Sequence, residues 1–164
     1  MSTELLVEPE IEQRIKTLAA ESGDGKETGG ILLGHGPSND GLIRVTNAGD
    51  AGPNAKRRRN FFLRDLQHAK QLAVAAWEDS RAIWVGEWHT HLSGDPRPSS
   101  SDLATYARLL LAADLDFESF VSIIATPDPE HEWGQPQLTP WLLSVAEIAG
   151  RTENAAALEK GRTP

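Results

Sequence analysis

At 164 residues, with 39% hydrophobic and 24% charged side chains, the chain is sized and balanced for one globular domain with a real core. Its formal charge of −8 argues against nucleic acid as the default partner, because phosphate binding shows as a basic face. With no cysteine, it excludes disulfides, thiol nucleophiles and iron–sulfur clusters, so any metal must be held by nitrogen and oxygen, with five histidines (35, 68, 89, 91 and 131) available.

From the amino terminus, Met1-Ser-Thr-Glu-Leu-Leu-Val-Glu lacks a basic n-region and a signal-like apolar stretch. No run approaches the ~20 apolar residues of a membrane span. The expectation is a cytoplasmic protein with no membrane partner. Residues 8–21 read as a helix, with Ile11, Ile15, Leu18 and Ala19 at helical spacing and Pro9 in the first turn. Glu27-Thr-Gly-Gly-Ile-Leu-Leu-Gly-His35 contains a short, glycine-bounded apolar run, which predicts a buried strand. A second strand is expected at Leu42–Ala48, followed by a loop from Gly49 to Arg59. The cations Lys56-Arg57-Arg58-Arg59 in that loop read as solvated, the alternative being a docking contact for an acidic partner. Residues 63–79 predict a helix with Leu66, Ala69, Ala73, Ala76 and Trp77 on one stripe.

Ala82–Gly86 predicts a buried strand leading into Glu87-Trp88-His89-Thr90-His91. Gly94, Pro96 and Pro98 mark a loop over 92–98, and a third helix is expected from Ser99 to about Ala113. Phe117–Ala125 reads as a strand, the four prolines of 126–140 as a long loop or insertion, and Trp141–Ile148 as a final strand. The domain is expected to span 1–150, with 151–164 a polar tail. Alternating helices and strands indicate a single α/β or α+β domain with a mixed sheet, too short for an eightfold barrel.

Side chains in a strand alternate faces, so His89 and His91 project to one side and can share an ion. A catalytic zinc takes three protein ligands and keeps a fourth position for water, and Asp102 is the natural third ligand, returned by the 92–98 loop. Ser99-x-x-Asp102 before Leu103 is also a helix capping box, and the two readings are compatible, since a helix start can present a carboxylate outward. Hydrolysis needs a general base as well. Glu87, on the strand face of His89, and Glu27, at the mouth of the first buried strand, both qualify; the residues alone do not choose.

Glu27-Thr-Gly-Gly-Ile-Leu-Leu-Gly, then His89-Thr-His91, seven residues, and Ser99-x-x-Asp102 together resemble the JAMM/MPN+ (JAB) zinc isopeptidases over roughly residues 20–125. The resemblance implies a single MPN/JAB domain with a mixed, curved β-sheet flanked by helices, a cytidine deaminase-like architecture. It implies one zinc per chain on His89, His91 and Asp102, with Glu27 as general base and Ser99 as donor to the oxyanion. It leaves Glu87 without a role. Leu92 departs from the pattern, standing where family members commonly have proline.

Gly-Glu-Trp-His-Thr-His, with Gly-Pro-Asn-Ala and the following arginines, is similar to the prokaryotic branch encoded beside E1- and E2-like enzymes, which includes the deconjugating peptidases of CBASS antiphage systems. That similarity implies cleavage after the carboxy-terminal residue of a conjugated protein, such as a cGAS-like nucleotidyltransferase. The extended tail of such a substrate would lie along a sheet edge, walled by the 49–62 loop and the 126–140 insertion. A second zinc is not expected, since that insertion holds only His131. Three competing readings are a non-catalytic MPN scaffold, a RadC-like DNA-associated protein suggested by His91-Leu-Ser-Gly-Asp-Pro-Arg-Pro-Ser, and processing of a ubiquitin-like or sulfur-carrier protein.

Overall fold

A computed structural model describes residues 2–112 and 117–151. In chain order these form β1 (Glu4–Val7), α1 (Pro9–Ala19) running into a 3-10 turn (Ala20–Asp24), β2 (Gly29–His35), β3 (Leu42–Ala48), β4 (Lys56–Arg58), β5 (Phe61–Leu63), α2 (Leu66–Ser80), β6 (Ile83–Thr90), α3 (Ser100–Leu111), β7 (Ser119–Asp128) and β8 (Glu132–Ser144). Residues 145–151 add a last helical segment. Most of the polar tail expected over 151–164, and the end of the third helix at Ala113, lie outside the described residues.

One curved, mixed sheet of six strands runs β1-β3-β2-β6-β7-β8, and β4-β5 form a separate hairpin. The central β6 pairs antiparallel with β2 and parallel with β7, the parallel pair requiring the crossover that α3 supplies. Alternation along the strands divides the core between the two sheet faces. On one face Leu32, Ile43, Val45, Val85, Trp88, Val121 and Ile123 pack under Ile11, Ile15 and Ala19 of α1. On the other, Ile31 and Leu33 receive Ala69 of α2, while Phe120 and Leu143 receive Leu103, Tyr106 and Leu110 of α3.

A β-bulge in β6 decides which face the site occupies. Leu32 pairs with Gly86 and Leu33 with Trp84, so Val85 is the extra residue. Val85 and Trp88 therefore share the α1 face, where strict alternation would separate them. Trp84, Glu87 and His89 accordingly face the side covered by α2 and α3.

Four expectations need correction. The 126–140 segment is strand rather than loop: β7 continues to Asp128, and β8 carries Pro136 and Pro140. Proline removes a ladder donor, which an edge strand such as β8 tolerates. The final strand ends at Ser144, and residues 145–148 are helical, with Ile148 buried beside α3. Within the cationic loop Lys56–Arg58 form β4, paired with β5, and Arg57 is a half-buried strut rather than a solvated charge. On α2, Leu66 and Trp77 are exposed; the packed stripe is Ala69, Leu72, Ala73 and Ala76. The sequence reading also missed β1, which lies parallel to β3 at the opposite edge.

Candidate metal centre

His89 lies near the end of β6 and His91 one residue beyond it, where β2 and β7 still hold the backbone. Thr90 N–H donates to Thr28 O at 2.9 Å and His91 N–H to Ala125 O at 2.9 Å. The Thr90 side chain, on the opposite face from the histidines, accepts from Thr28 N–H at 2.9 Å and shares a 2.7 Å hydrogen bond with Ser22 Oγ. This clip fastens the residue after Glu27 to the residue between the two histidines.

Glu27 is held from its other side by the hairpin. Its N–H donates to Arg58 O at 2.8 Å, and Arg57 Nε donates to its carbonyl at 3.0 Å. The Arg57 guanidinium also bridges to Asp24 at 2.9 Å and to the Glu21 and Lys26 carbonyls, tying down the turn before β2. Two glycines then let the strands close up: a Cβ on Gly29 would strike Trp88 O, and one on Gly30 would strike Gly49 O.

The third element is the start of α3. Ser99 caps the helix, its Oγ accepting from Asp102 N–H at 3.1 Å, while Asp102 Oδ2 accepts from Ser99 N–H at 2.7 Å. The same Oδ2 lies 3.1 Å from His91 Nε2 and 3.2 Å from His89 Nε2. Cap and cluster are one arrangement of atoms.

The two Nε2 atoms are themselves 2.9 Å apart. Nitrogens this close, flanked by a carboxylate oxygen, share either a proton or a cation. Bonds of about 2.0–2.2 Å at tetrahedral angles put zinc ligand atoms roughly 3.3 Å from one another; the observed separations of 2.9, 3.1 and 3.2 Å match that spacing within a few tenths of an ångström. His91 Nδ1–H donates to Asp95 O at 2.8 Å, which aims its Nε2 into the cluster. The His-His-Asp triad is able to bind a metal.

Burial opposes the charge on Asp102, but hydrogen bonds from His89 and His91, the charge of His89 and the Ser99 N–H together hold its carboxyl well below the usual range. Burial likewise opposes the charge on His91; hydrogen bonds to Asp102 and the Asp95 carbonyl, with the nearby carboxylates, raise its pKa nonetheless. Glu27 goes the other way. Burial, partly offset by His91 and reinforced by Asp102, pushes its carboxyl up to about 7.

A cleft of about 810 Å³ is lined by Glu27, His91, Ser99 and Asp102, with Arg59 and Arg97 among its cations. His89 opens into an adjoining recess of about 260 Å³, lined also by Arg64, Glu87 and Arg108. The structure thus gathers Glu27, His89, His91, Ser99 and Asp102 around one place. Glu87 is buried beside His89 and paired with Arg64. The hairpin tip, Arg59 and Asn60, walls the main cleft. The β7–β8 end, with Pro127 and Trp133, walls the next hollow. Sequence reading missed Arg57, Arg64 and Thr90. Arg57 and Arg64 take their positions from the β4–β5 hairpin and the connection after it, and Thr90 takes its partner from the alignment of β2 with β6; none of these pairings leaves a periodic signal.

This is an α/β domain with a His-His-Asp cluster on the rim of its sheet, beside a carboxylate held at the mouth of the neighbouring strand. A family model described as prokaryotic homologues of the JAB domain matches residues 10–139, and the chain belongs to that family. A protein of Enterobacter hormaechei named CD-NTase/cGAS isopeptidase is 30% identical over 103 residues, 63% of this chain and 57% of that one. A protein of the same name from Pseudomonas aeruginosa is 35% identical over 85 residues, 51% of this chain and 52% of that one. The chain thus spans little more than half the length of these two relatives. Among solved structures, one protein from Desulfitobacterium hafniense shares the fold at a TM-score of 0.59 and 18% identity, with 88% of this chain and 87% of that one covered. Another, from Salinibacter ruber, has a TM-score of 0.51 at 26% identity, covering 83% and 80%. Among the described residues no helix is long and apolar enough to cross a membrane.

Proposed function

We propose that this protein is a JAMM-type zinc isopeptidase that removes a conjugated protein by hydrolysing the bond after that protein's carboxy-terminal residue. The observation that carries the reading is the convergence of His89 Nε2, His91 Nε2 and Asp102 Oδ2 beside a cleft lined by His91, Asp102, Glu27 and Ser99. His89, His91 and Asp102 hold the zinc, which when bound supplies Lewis acidity and a water ionisable near neutral pH. Glu27 takes a proton from the attacking water and returns it to the leaving amine. Its raised pKa suits that double duty, because a base that must also serve as an acid works best near the operating pH. Ser99 Oγ accepts from Asp102 N–H and lies 3.1 Å from Ser101 Oγ; with the Ser101 hydroxyl as donor in that contact, the Ser99 hydroxyl hydrogen is left to donate to the oxygen of the scissile carbonyl.

The substrate we propose is a cGAS-like nucleotidyltransferase conjugated through its tail by E1/E2-like enzymes, in the cytoplasm, as part of an antiviral system. The names of the E. hormaechei and P. aeruginosa relatives support this class. Purified protein should contain about one zinc per chain and release a reporter fused behind the tail of a cGAS-like nucleotidyltransferase. Glu27→Ala should retain zinc and lose cleavage. Normal cleavage by that variant removes Glu27 as the base. Zinc binding by the wild type without any cleavage returns the chain to the scaffold reading.

A further inference from the structure

A buried ion pair stands behind the metal cluster. Glu87 is 8% exposed and His89 5%. The Glu87 carboxylate meets the Arg64 guanidinium on one side, and its Oε1 lies 4.0 Å from His89 Nδ1 on the other. Arg64, on the connection from β5 to α2, is braced over the Trp84 ring at 5.6 Å, on the same sheet face. Among the described residues His89 Nδ1 is buried with no hydrogen-bond partner. His91 differs: its Nδ1–H is fixed by the Asp95 carbonyl at 2.8 Å.

A neutral imidazole that ligates through Nε2 carries its proton on Nδ1. A buried N–H needs an acceptor, and histidine ligands generally find one in a carboxylate or carbonyl. For His91 that acceptor is a backbone carbonyl; for His89 the group that faces Nδ1 is Glu87. A carboxylate there attracts the Nδ1 proton and repels an Nδ1 lone pair, so it favours the form of the ring whose Nε2 lone pair points into the cluster. A carboxylate buried this deeply would be costly alone, and Arg64 offsets its charge.

We infer that Glu87, held by Arg64, is a positioning residue that sets the proton and ring orientation of His89 and thereby the metal affinity of the site. This rests on the zinc reading of the cluster. It also assigns a separate task to the carboxylate nearest the histidines: Glu87 faces the back of His89, while Glu27 lines the cleft.

Glu87→Gln separates charge from shape. Arg64 would take the amide oxygen, turning the amide NH2 toward His89 Nδ1–H, donor against donor. Chelator competition on full-length protein should then show zinc affinity lowered by about 10- to 100-fold. In zinc-loaded protein with ¹⁵N-labelled histidine, the His89 Nδ1–H resonance should move upfield and exchange faster, while that of His91 stays unchanged as an internal control. The double variant Glu87→Leu/Arg64→Met removes both charges and tests the same point without a stranded ion; its zinc affinity should fall comparably. Affinity within twofold of wild type in both variants, or an unmoved His89 Nδ1–H resonance in Glu87→Gln, overturns the assignment. A wild-type chain that binds no zinc overturns the reading beneath it instead.

Discussion

Glu27→Gln should make the metal-free protein more stable and the enzyme inactive. The Glu27 carboxyl rises from 4.5 to about 7, with burial the largest cause. At roughly 1.4 kcal/mol per tenfold change in acidity, that rise corresponds to an upper bound of about 3 kcal/mol. The side chain is only half-buried, so solvent screening reduces the expected effect to about 1 kcal/mol. The sign follows from proton counting. Between pH 4.5 and about 7 the native protein binds more protons at this site than the unfolded chain. Stability therefore falls as pH rises through that window, and the full penalty is present above it. Glutamine does not titrate. At pH 8, Glu27→Gln stripped with chelator should melt about 2–4 °C above stripped wild type, and the gap should close as pH falls toward 4.5. The same variant should lose at least about 10²-fold in kcat if Glu27 is the base. Thermal unfolding at pH 5 and pH 8, run beside a cleavage assay, measures both. Equal melting temperatures at pH 8 would refute a desolvated Glu27.

Three further substitutions probe the frame around the site. Ser99→Ala removes the acceptor for Asp102 N–H and should cost about 1 kcal/mol in thermal unfolding, with kcat down about 10²–10³-fold; a rate loss below tenfold removes the oxyanion role. Arg57→Ala cuts the strut to the Glu27 carbonyl and to Asp24. It should lower kcat about tenfold or more with zinc content unchanged, since misplacing a catalytic group by an ångström is costly. An unaltered kcat would make the strut irrelevant to the base. Gly30→Ala drives a methyl into the Gly49 carbonyl and should destabilise the fold by about 3 kcal/mol or more by chemical denaturation; a loss under 1 kcal/mol would mean the backbones can part.

The site was more legible in the sequence than the frame. His89, His91, Ser99 and Asp102 sit within fourteen consecutive positions, and strand alternation plus a helix start suffice to bring them together. Glu27 is sixty-two positions before His89, and only the antiparallel pairing of β2 with β6 makes them neighbours. Residues alone could not rank it against Glu87. The structure separates the two by surroundings: one lines the open cleft, the other is paired with a cation behind His89. The misread elements share a cause. β8 looked like a loop because proline counts against strands, although an edge tolerates it, and β4 looked like a loop because its side chains are charged. In both, tertiary pairing outweighed local propensity.

The bulge at Val85 means that the strand stores its polarity as a count rather than as a composition. Removing that one residue would close the pleat, with Trp84 and Gly86 consecutive opposite Leu33 and Leu32, and leave Glu-Trp-His-Thr-His on its present faces. Keeping Val85 but pairing it in regular alternation with Ile83 and Trp84 would instead deliver Trp88 to the side of α2 and α3 and His89 to the apolar layer beneath α1. Two chains with the same motif could then differ only in whether that extra residue bulges or pairs, and so in which face of the sheet carries the histidines. The unpaired residue between the Leu33-pairing and Leu32-pairing positions on β6 is therefore as much a part of the candidate site's geometry as the histidines themselves.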